Sequence, residues 1–242
     1  MKQQISIKII NLERSKARRE FIEKQLKRLN LNFEIVKAVD GNDLNENDLK
    51  NYSRKEALKV NGRELLSGEI GCVLSHIKVW QQLIEEDLQH VLVLEDDAMI
   101  GEMLLKILDL KETYPSDWEY INFVTDWKLV PFGNPIYDIY RIASIKGISN
   151  RTCAYLINRK GAEKLISKIY PIRLPVDNFV GKTNMTGLVL YSIHPQVASF
   201  SDFRSDIWKV SDRTKLKTTI RFKAKRISKK IIQLLHNINN RV

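Results

Sequence analysis

His90-Val91-Leu92-Val93-Leu94-Glu95-Asp96-Asp97 runs four apolar residues straight into three carboxylates. An apolar run without polar alternation is what a strand needs when both of its faces are covered, as in a mostly parallel sheet. Open α/β sheets gather their ligands at the carboxyl ends of the strands, which is where the acidic run falls. Adjacent carboxylates at the edge of a low-dielectric core repel one another and resist ionisation unless a cation compensates. A hard divalent ion, Mg²⁺ or Mn²⁺, takes one or two such carboxylates and completes its sphere with phosphate oxygens, chemistry that a sugar nucleotide matches. A solvated acidic turn capping the next helix is the plainer reading of the same residues.

Upstream of that strand, Ser67 to Glu86 reads as a helix capped by Ser67, with Ile70, Val73, Leu74, Ile77, Trp80 and Leu83 on one face. The chain opens with a β-branched strand, Ile5 to Ile10. Phe21, Ile22, Leu26 and Leu29 follow at helical spacing, and a second strand, Phe33 to Val39, stops at the turn dipeptide Asp40-Gly41. This β-α-β start is that of a nucleotide-binding α/β domain. Polar residues 42–61 read as partly helical and exposed. Downstream come a helix at Met103–Leu110, a strand at Tyr120–Val124, a loop at Lys128–Asp138, a strand at Cys153–Ile157, a helix at Lys160–Ile169 and a strand at Val189–Ile193.

Asn11-Leu12-Glu13-Arg14, with Arg18 and Arg19, stands at the carboxyl end of the first strand, where arginines meet a diphosphate through paired hydrogen bonds. An ordinary charged first helical turn has the same composition. Asp40 similarly serves either a base or ribose hydroxyl or simply the turn.

The segments Asn11-Leu12-Glu13-Arg14, Ala38-Val39-Asp40-Gly41, Ser67-Gly68-Glu69-Ile70-Gly71-Cys72-Val73-Leu74-Ser75-His76 and Leu92-Val93-Leu94-Glu95-Asp96-Asp97, in that order, resemble glycosyltransferase family 25. The resemblance covers roughly residues 4–200 and implies a GT-A type, Rossmann-like mixed sheet flanked by helices over residues 1–212. It also implies a UDP-sugar donor and inverting transfer of a hexose, usually galactose, with a β-1,4 linkage to a terminal sugar of lipooligosaccharide as the expected product. UDP-glucose and UDP-N-acetylhexosamines are the alternative donors, and a non-catalytic membrane- or nucleic-acid-binding protein is the alternative of another class. Glu95 and Asp97 are matched to the first and last positions of an Asp-x-Asp-like metal motif, Asp97 being the principal ligand, and His194 to a late histidine completing the Mn²⁺ or Mg²⁺ site. Donor-binding positions are Asn11, Arg14, Arg18, Ala38, Asp40, Gly41, Glu69, Ser75, His76, Glu95 and Asp96. By the same analogy Asp177 is the acidic residue beside the acceptor. It is the candidate base, with Asp126 and Glu69 as rivals and a helix N-cap as its structural alternative.

Other chemistries find less support. Ser75 and His76 are adjacent on a helix and point about 100° apart, and no Gly-x-Ser-x-Gly elbow occurs, which argues against nucleophilic hydrolysis. His76 either touches donor phosphate or holds its helix against the carboxylate loop; Cys72 reads as a packing residue, and the histidines show no zinc spacing. Thr152 to Tyr155 and Gly161-Ala162 are small enough to admit a hexose or simply to pack. Trp118, Trp127 and Phe132 are candidates for stacking on an acceptor sugar.

The 242 residues carry 40 Lys and Arg against 29 Asp and Glu, a net charge of +11. Ten of the basic residues lie between Arg213 and Val242, where there is no acidic residue. Leu216, Ile220, Ala224, Ile227, Ile231, Leu234 and Ile238 recur there every three or four residues, so residues 213–242 read as one basic amphipathic helix suited to an anionic membrane surface. The expected location is therefore cytoplasmic, peripheral on the inner face of the membrane, with no nucleic-acid partner. Two cysteines without CxxC spacing read as reduced thiols, with a single bridge between them as the alternative.

Overall fold

The computed structural model describes residues 5–124, 133–145 and 151–203. The expected helix at 213–242, together with Asp126, Trp127 and Phe132, lies outside the described residues. Strands β1 (Ser6–Asn11), β2 (Glu34–Lys37), β3 (His90–Glu95), β5 (Tyr120–Asn122), β6 (Asn134–Tyr137), β7 (Tyr140–Ser144), β8 (Ala154–Asn158) and β9 (Leu190–His194) form one sheet, in the order β2-β1-β3-β8-β5-β9-β7-β6. A separate antiparallel pair joins β4 (Ala98–Ile100) to β10 (Ala198–Phe200). The β2-β1-β3 side is parallel, as the opening β-α-β predicts. The sheet then becomes mixed: β8 runs antiparallel between β3 and β5, while β5 and β9 are parallel to each other.

Helices α1 (Lys16–Arg28), α4 (Ser67–Glu85), α5 (Glu102–Asp109) and α6 (Arg159–Ile169) cover the two faces, and short helices α2 (Glu46–Leu49), α3 (Arg54–Val60), α7 (Val176–Val180) and α8 (Thr183–Thr186) fill the connections. This is the mixed α/β sheet flanked by helices that the sequence predicts. Alternation along β3 divides the core. Val91 and Val93 pack with Val73, Ile77 and Trp80 of α4 and Leu165 of α6. Leu92 and Leu94 pack with Ile22 and Leu26 of α1 and Leu104 and Ile107 of α5. Burial of a side chain of this size contributes about 1.5–3 kcal/mol, and β3 does so on both faces.

Three local expectations change. Residues 134–137, read as loop, form β6 and pair with β7, a hairpin that the Pro- and Gly-containing sequence hid. Ser67 is the first residue of α4, not its cap. Leu66 is the N-cap, and its N–H donates to Glu69 Oε2 at 2.9 Å. Trp118 is half-buried and packs edge-on against His90 and Tyr114, at the opposite end of β3 from Glu95, which sets it apart from the acidic edge.

Candidate active site

The same period-two alternation sorts the acidic run. Odd positions of β3 face α4 and even positions face α1, so Glu95 is delivered toward His76 of α4 and Asp96 toward Arg18 of α1. Asn11, on the α1 face of β1, donates from Nδ2 to Asp96 Oδ2 at 2.7 Å. Arg18 pairs with Asp96 and, at 2.8 Å, with Asp97 Oδ2 just beyond the strand end. One guanidinium thus serves two carboxylates, with Glu95 adding a third negative charge alongside.

The consequence is an uneven distribution of protons. Burial pushes Asp97 up to about 6, with repulsion from Glu95 adding to it and Arg18 opposing. Burial also raises Asp96, against the pull of Arg18 and Asn11. Burial acts on Glu95 in the same sense, but hydrogen bonding and charge at His76, together with Thr152 Oγ1 donating at 2.8 Å, hold it below its ordinary value. A cluster of three carboxylates with one arginine, offering hard oxygen donors, has the charge deficit and the chemistry that Mn²⁺ or Mg²⁺ fits.

A cavity opens over this edge, lined by Arg14, Arg18, Ala38, Gly41, Ser75, His76, Glu95, Asp96 and Asp97. Nine of the residues singled out in the sequence therefore meet in one place. Arg14 pairs with Asp40, whose Oδ1 also accepts from the Asn42 N–H at 2.9 Å, so Asp40 closes its turn and anchors an arginine at the rim. Ser75 Oγ accepts from the Val39 N–H at 2.8 Å and donates to Gly71 O at 2.7 Å; its work is to fasten α4 to the segment after β2.

That fastening depends on glycine. A Cβ on Gly71 would lie 2.5 Å from Val39 O, and one on Gly41 2.5 Å from Gly68 N, because two backbones cross in contact. Gly71→Ala is therefore expected to destabilise by about 1–3 kcal/mol, since backbone must move to admit the methyl. It should also weaken ligand binding in the cavity; an unchanged melting temperature with unchanged affinity would speak against the close crossing.

A second cavity abuts the first, sharing Cys72 and Glu95 and adding Glu69, Arg151, Thr152, Cys153, Pro175, Val176, Asp177 and Phe200. Asp177 sits in the first turn of α7, whose N-cap is Pro175, so it is not itself the N-cap. Burial pushes its carboxyl up to about 6, partly opposed by the Asn178 N–H at 2.7 Å, with Glu95 adding repulsion. Glu69 is less available: Arg63 donates to both its oxygens, at 2.7 and 2.5 Å, and the Leu66 N–H donates a further bond to Oε2. His194 ends β9 on the same sheet edge, but β8 and β5 separate β9 from β3 and His194 lines neither cavity. Gly161 and Ala162 are packed against Glu119 and the core and not against either cavity.

Two features escape sequence reading. Arg63 has no motif around it. The Trp80 indole N–H donates to Tyr155 Oη at 3.0 Å, Tyr155 Oη lies 2.8 Å from His76 Nδ1, and His76 Nε2 faces Glu95 Oε1 at 3.4 Å. Helical spacing from His76 to Trp80 is the only local trace of that chain.

Fold and site together define an α/β protein with a carboxylate- and arginine-lined ligand cleft at the carboxyl edge of its parallel strands. A family model described as Glycosyltransferase family 25 (LPS biosynthesis protein) matches residues 4–180, and the chain belongs to that family. It is 33% identical over 206 residues to Procollagen galactosyltransferase 2 of Homo sapiens, covering 81% of this chain and 31% of that protein. It is 28% identical over 211 residues to Inactive glycosyltransferase 25 family member 3 of Homo sapiens, covering 83% and 33%. The chain spans about a third of the length of the curated relatives it matches. Among solved structures, a Drosophila β-1,4-galactosyltransferase 7 mutant in complex with manganese, UDP-Gal and xylobiose is similar at TM-score 0.41 and 11% identity, covering 93% of this chain and 80% of that one.

Proposed function

We propose that the chain is a metal-dependent, inverting galactosyltransferase that moves galactose from UDP-galactose to a terminal sugar of lipooligosaccharide, forming a β-1,4 linkage. The observation that carries the reading is the pair of abutting cavities: one with arginines and the acidic cluster, the next with Asp177, a carboxyl without a cationic partner among the described lining residues that face it, and Glu95 shared between them. The family description, which names LPS biosynthesis, supports the acceptor, and the name of the galactosyltransferase relative supports the sugar.

In this reading Arg14 and Arg18 receive the diphosphate in the first cavity, and Asn11 keeps Asp96 and Arg18 in place beneath it. Asp97 with Glu95 would hold Mn²⁺ or Mg²⁺, which supplies neutralisation of the charge gathering on the departing UDP. Asp177, in the second cavity, takes the proton of the acceptor hydroxyl as its oxygen bonds to C1. The C1–O bond to the diphosphate breaks with its electron pair going to UDP, and the configuration inverts in one displacement. A transfer assay with UDP-galactose, UDP-glucose and UDP-N-acetylhexosamines plus Mn²⁺ tests the donor. Preferential turnover of UDP-galactose is expected, whereas absence of both turnover and UDP binding would favour a non-catalytic protein, a state that the inactive relative shows to occur in the family.

The basic stretch at 213–242 is assigned to an anionic membrane surface, placing the enzyme on the cytoplasmic face. With each basic residue near such a surface contributing about 1 kcal/mol, its removal should weaken sedimentation with anionic vesicles by about tenfold or more while sparing transfer to a soluble acceptor. Equal vesicle binding would refute the assignment.

A further inference from the structure

Where the two cavities meet, Cys72 and His76, one helical turn apart on α4, face Glu95 at the end of β3. One donor atom from each, Cys72 Sγ, a ring nitrogen of His76 and a Glu95 carboxylate oxygen, lie within 4.8 Å of one another, and of the two nitrogens it is Nε2 that faces Glu95 Oε1, at 3.4 Å. A tetrahedral zinc with bonds of about 2.0–2.3 Å holds its donors roughly 3.5 Å apart, so little movement separates this arrangement from a ligand set. The donors are unlike those at Asp97: a thiol and an imidazole select a soft or borderline ion, where carboxylates alone select a hard one. The ring is also held. His76 is fully buried, its Nδ1 is engaged by Tyr155 Oη at 2.8 Å, and Trp80 fixes that phenol in turn. Nε2, on the other side of the ring, is buried and turned toward Glu95 Oε1 at 3.4 Å. An outer partner on the second ring nitrogen is how proteins orient a metal-binding histidine.

We infer that Cys72, His76 and Glu95 form a second, soft-metal site that takes Zn²⁺ with three protein ligands and one open position. Binding forms a Zn–S bond and releases the thiol proton to solvent. Because Glu95 also belongs to the acidic cluster, an ion seated here withdraws it from the hard-metal site. If the transferase reading holds, micromolar Zn²⁺ inhibits in the presence of Mn²⁺.

Co²⁺ is the probe, because its thiolate charge-transfer band in the near ultraviolet reports sulfur ligation whether or not the protein turns over sugar. The chain has two cysteines, Cys72 and Cys153, and Cys153 Sγ lies 3.8 Å from Asp97 Oδ1, so it is the competing source of such a band. The full chain titrated with Co²⁺ should develop the band, Cys153→Ala should retain it, and Cys72→Ala should lose it. Cys72→Ser, near-isosteric, serves as a second loss variant, with thermal unfolding to establish that each is folded. Zn²⁺ should displace Co²⁺ and bleach the band. No band in the wild type, or a band that survives in both folded Cys72 variants, overturns the site, whatever the outcome of transfer assays.

Discussion

Asp97→Ala should lower sugar transfer by at least about 10²-fold, in the range seen when a group that stabilises charge in a transition state is deleted, while leaving the protein folded. Asp97 sits past the end of β3 with its carboxylate against Arg18 and Cys153, so its loss removes a charged partner and not an apolar core side chain. The metal-free protein should in fact gain stability from Asp97→Asn. A carboxyl near 3.8 in the unfolded chain and raised to about 6 when folded binds more protons folded than unfolded between those values. The favourable contribution is complete below about pH 4 and is lost as pH rises through 6. At pH 7 the substitution removes that penalty, worth up to roughly 2–3 kcal/mol, and Mn²⁺ should stabilise the wild type but not the variant. A variant with wild-type turnover, or one destabilised at pH 7, would contradict the role assigned to this carboxylate.

Asp177→Asn is expected to lower kcat by about 10²–10⁴-fold, the usual contribution of a general base, with UDP affinity nearly unchanged because Asp177 lines the second cavity and not the first. The pH profile distinguishes a base from a wall. A base must be ionised, so wild-type activity should climb as pH rises through about 6 and then level. At saturating Mn²⁺, which keeps Asp97 ionised, the residual activity of the variant should lack that rise. Persistence of the same rise in Asp177→Asn would move the proton transfer to another group.

Much of this cleft could be read before the fold was known, because its parts are local. Strand β1, the Asp40-Gly41 turn and the abrupt end of β3 each announce themselves within a few residues, and parallel strands then carry all three to one edge. What could not be read depends on long separations. Tyr155 meets His76 and Trp80 across 79 and 75 residues. Thr152 reaches Glu95 across 57. Cys72 gained its significance only when β3 brought Glu95 under α4. His194 shows the converse limit. A histidine at a strand end resembles a companion to Asp97, whereas its distance from that carboxylate depends on sheet order, which places β8 and β5 between β9 and β3 and is not written in local pattern. Glu69 is legible as an acidic residue in a motif, yet its partner Arg63 lies in an unremarkable loop, and that partner engages both carboxylate oxygens through one guanidinium fork.

The central claim is that the acidic edge of β3 holds a cation against a nucleotide diphosphate, and a crystal structure of the chain grown with Mn²⁺ and UDP tests it most directly. The account predicts an ion coordinated by Asp97 and the diphosphate oxygens, with Arg14 and Arg18 against the phosphates. UDP seated elsewhere, or an ion bound away from Asp97 and Glu95, would contradict it.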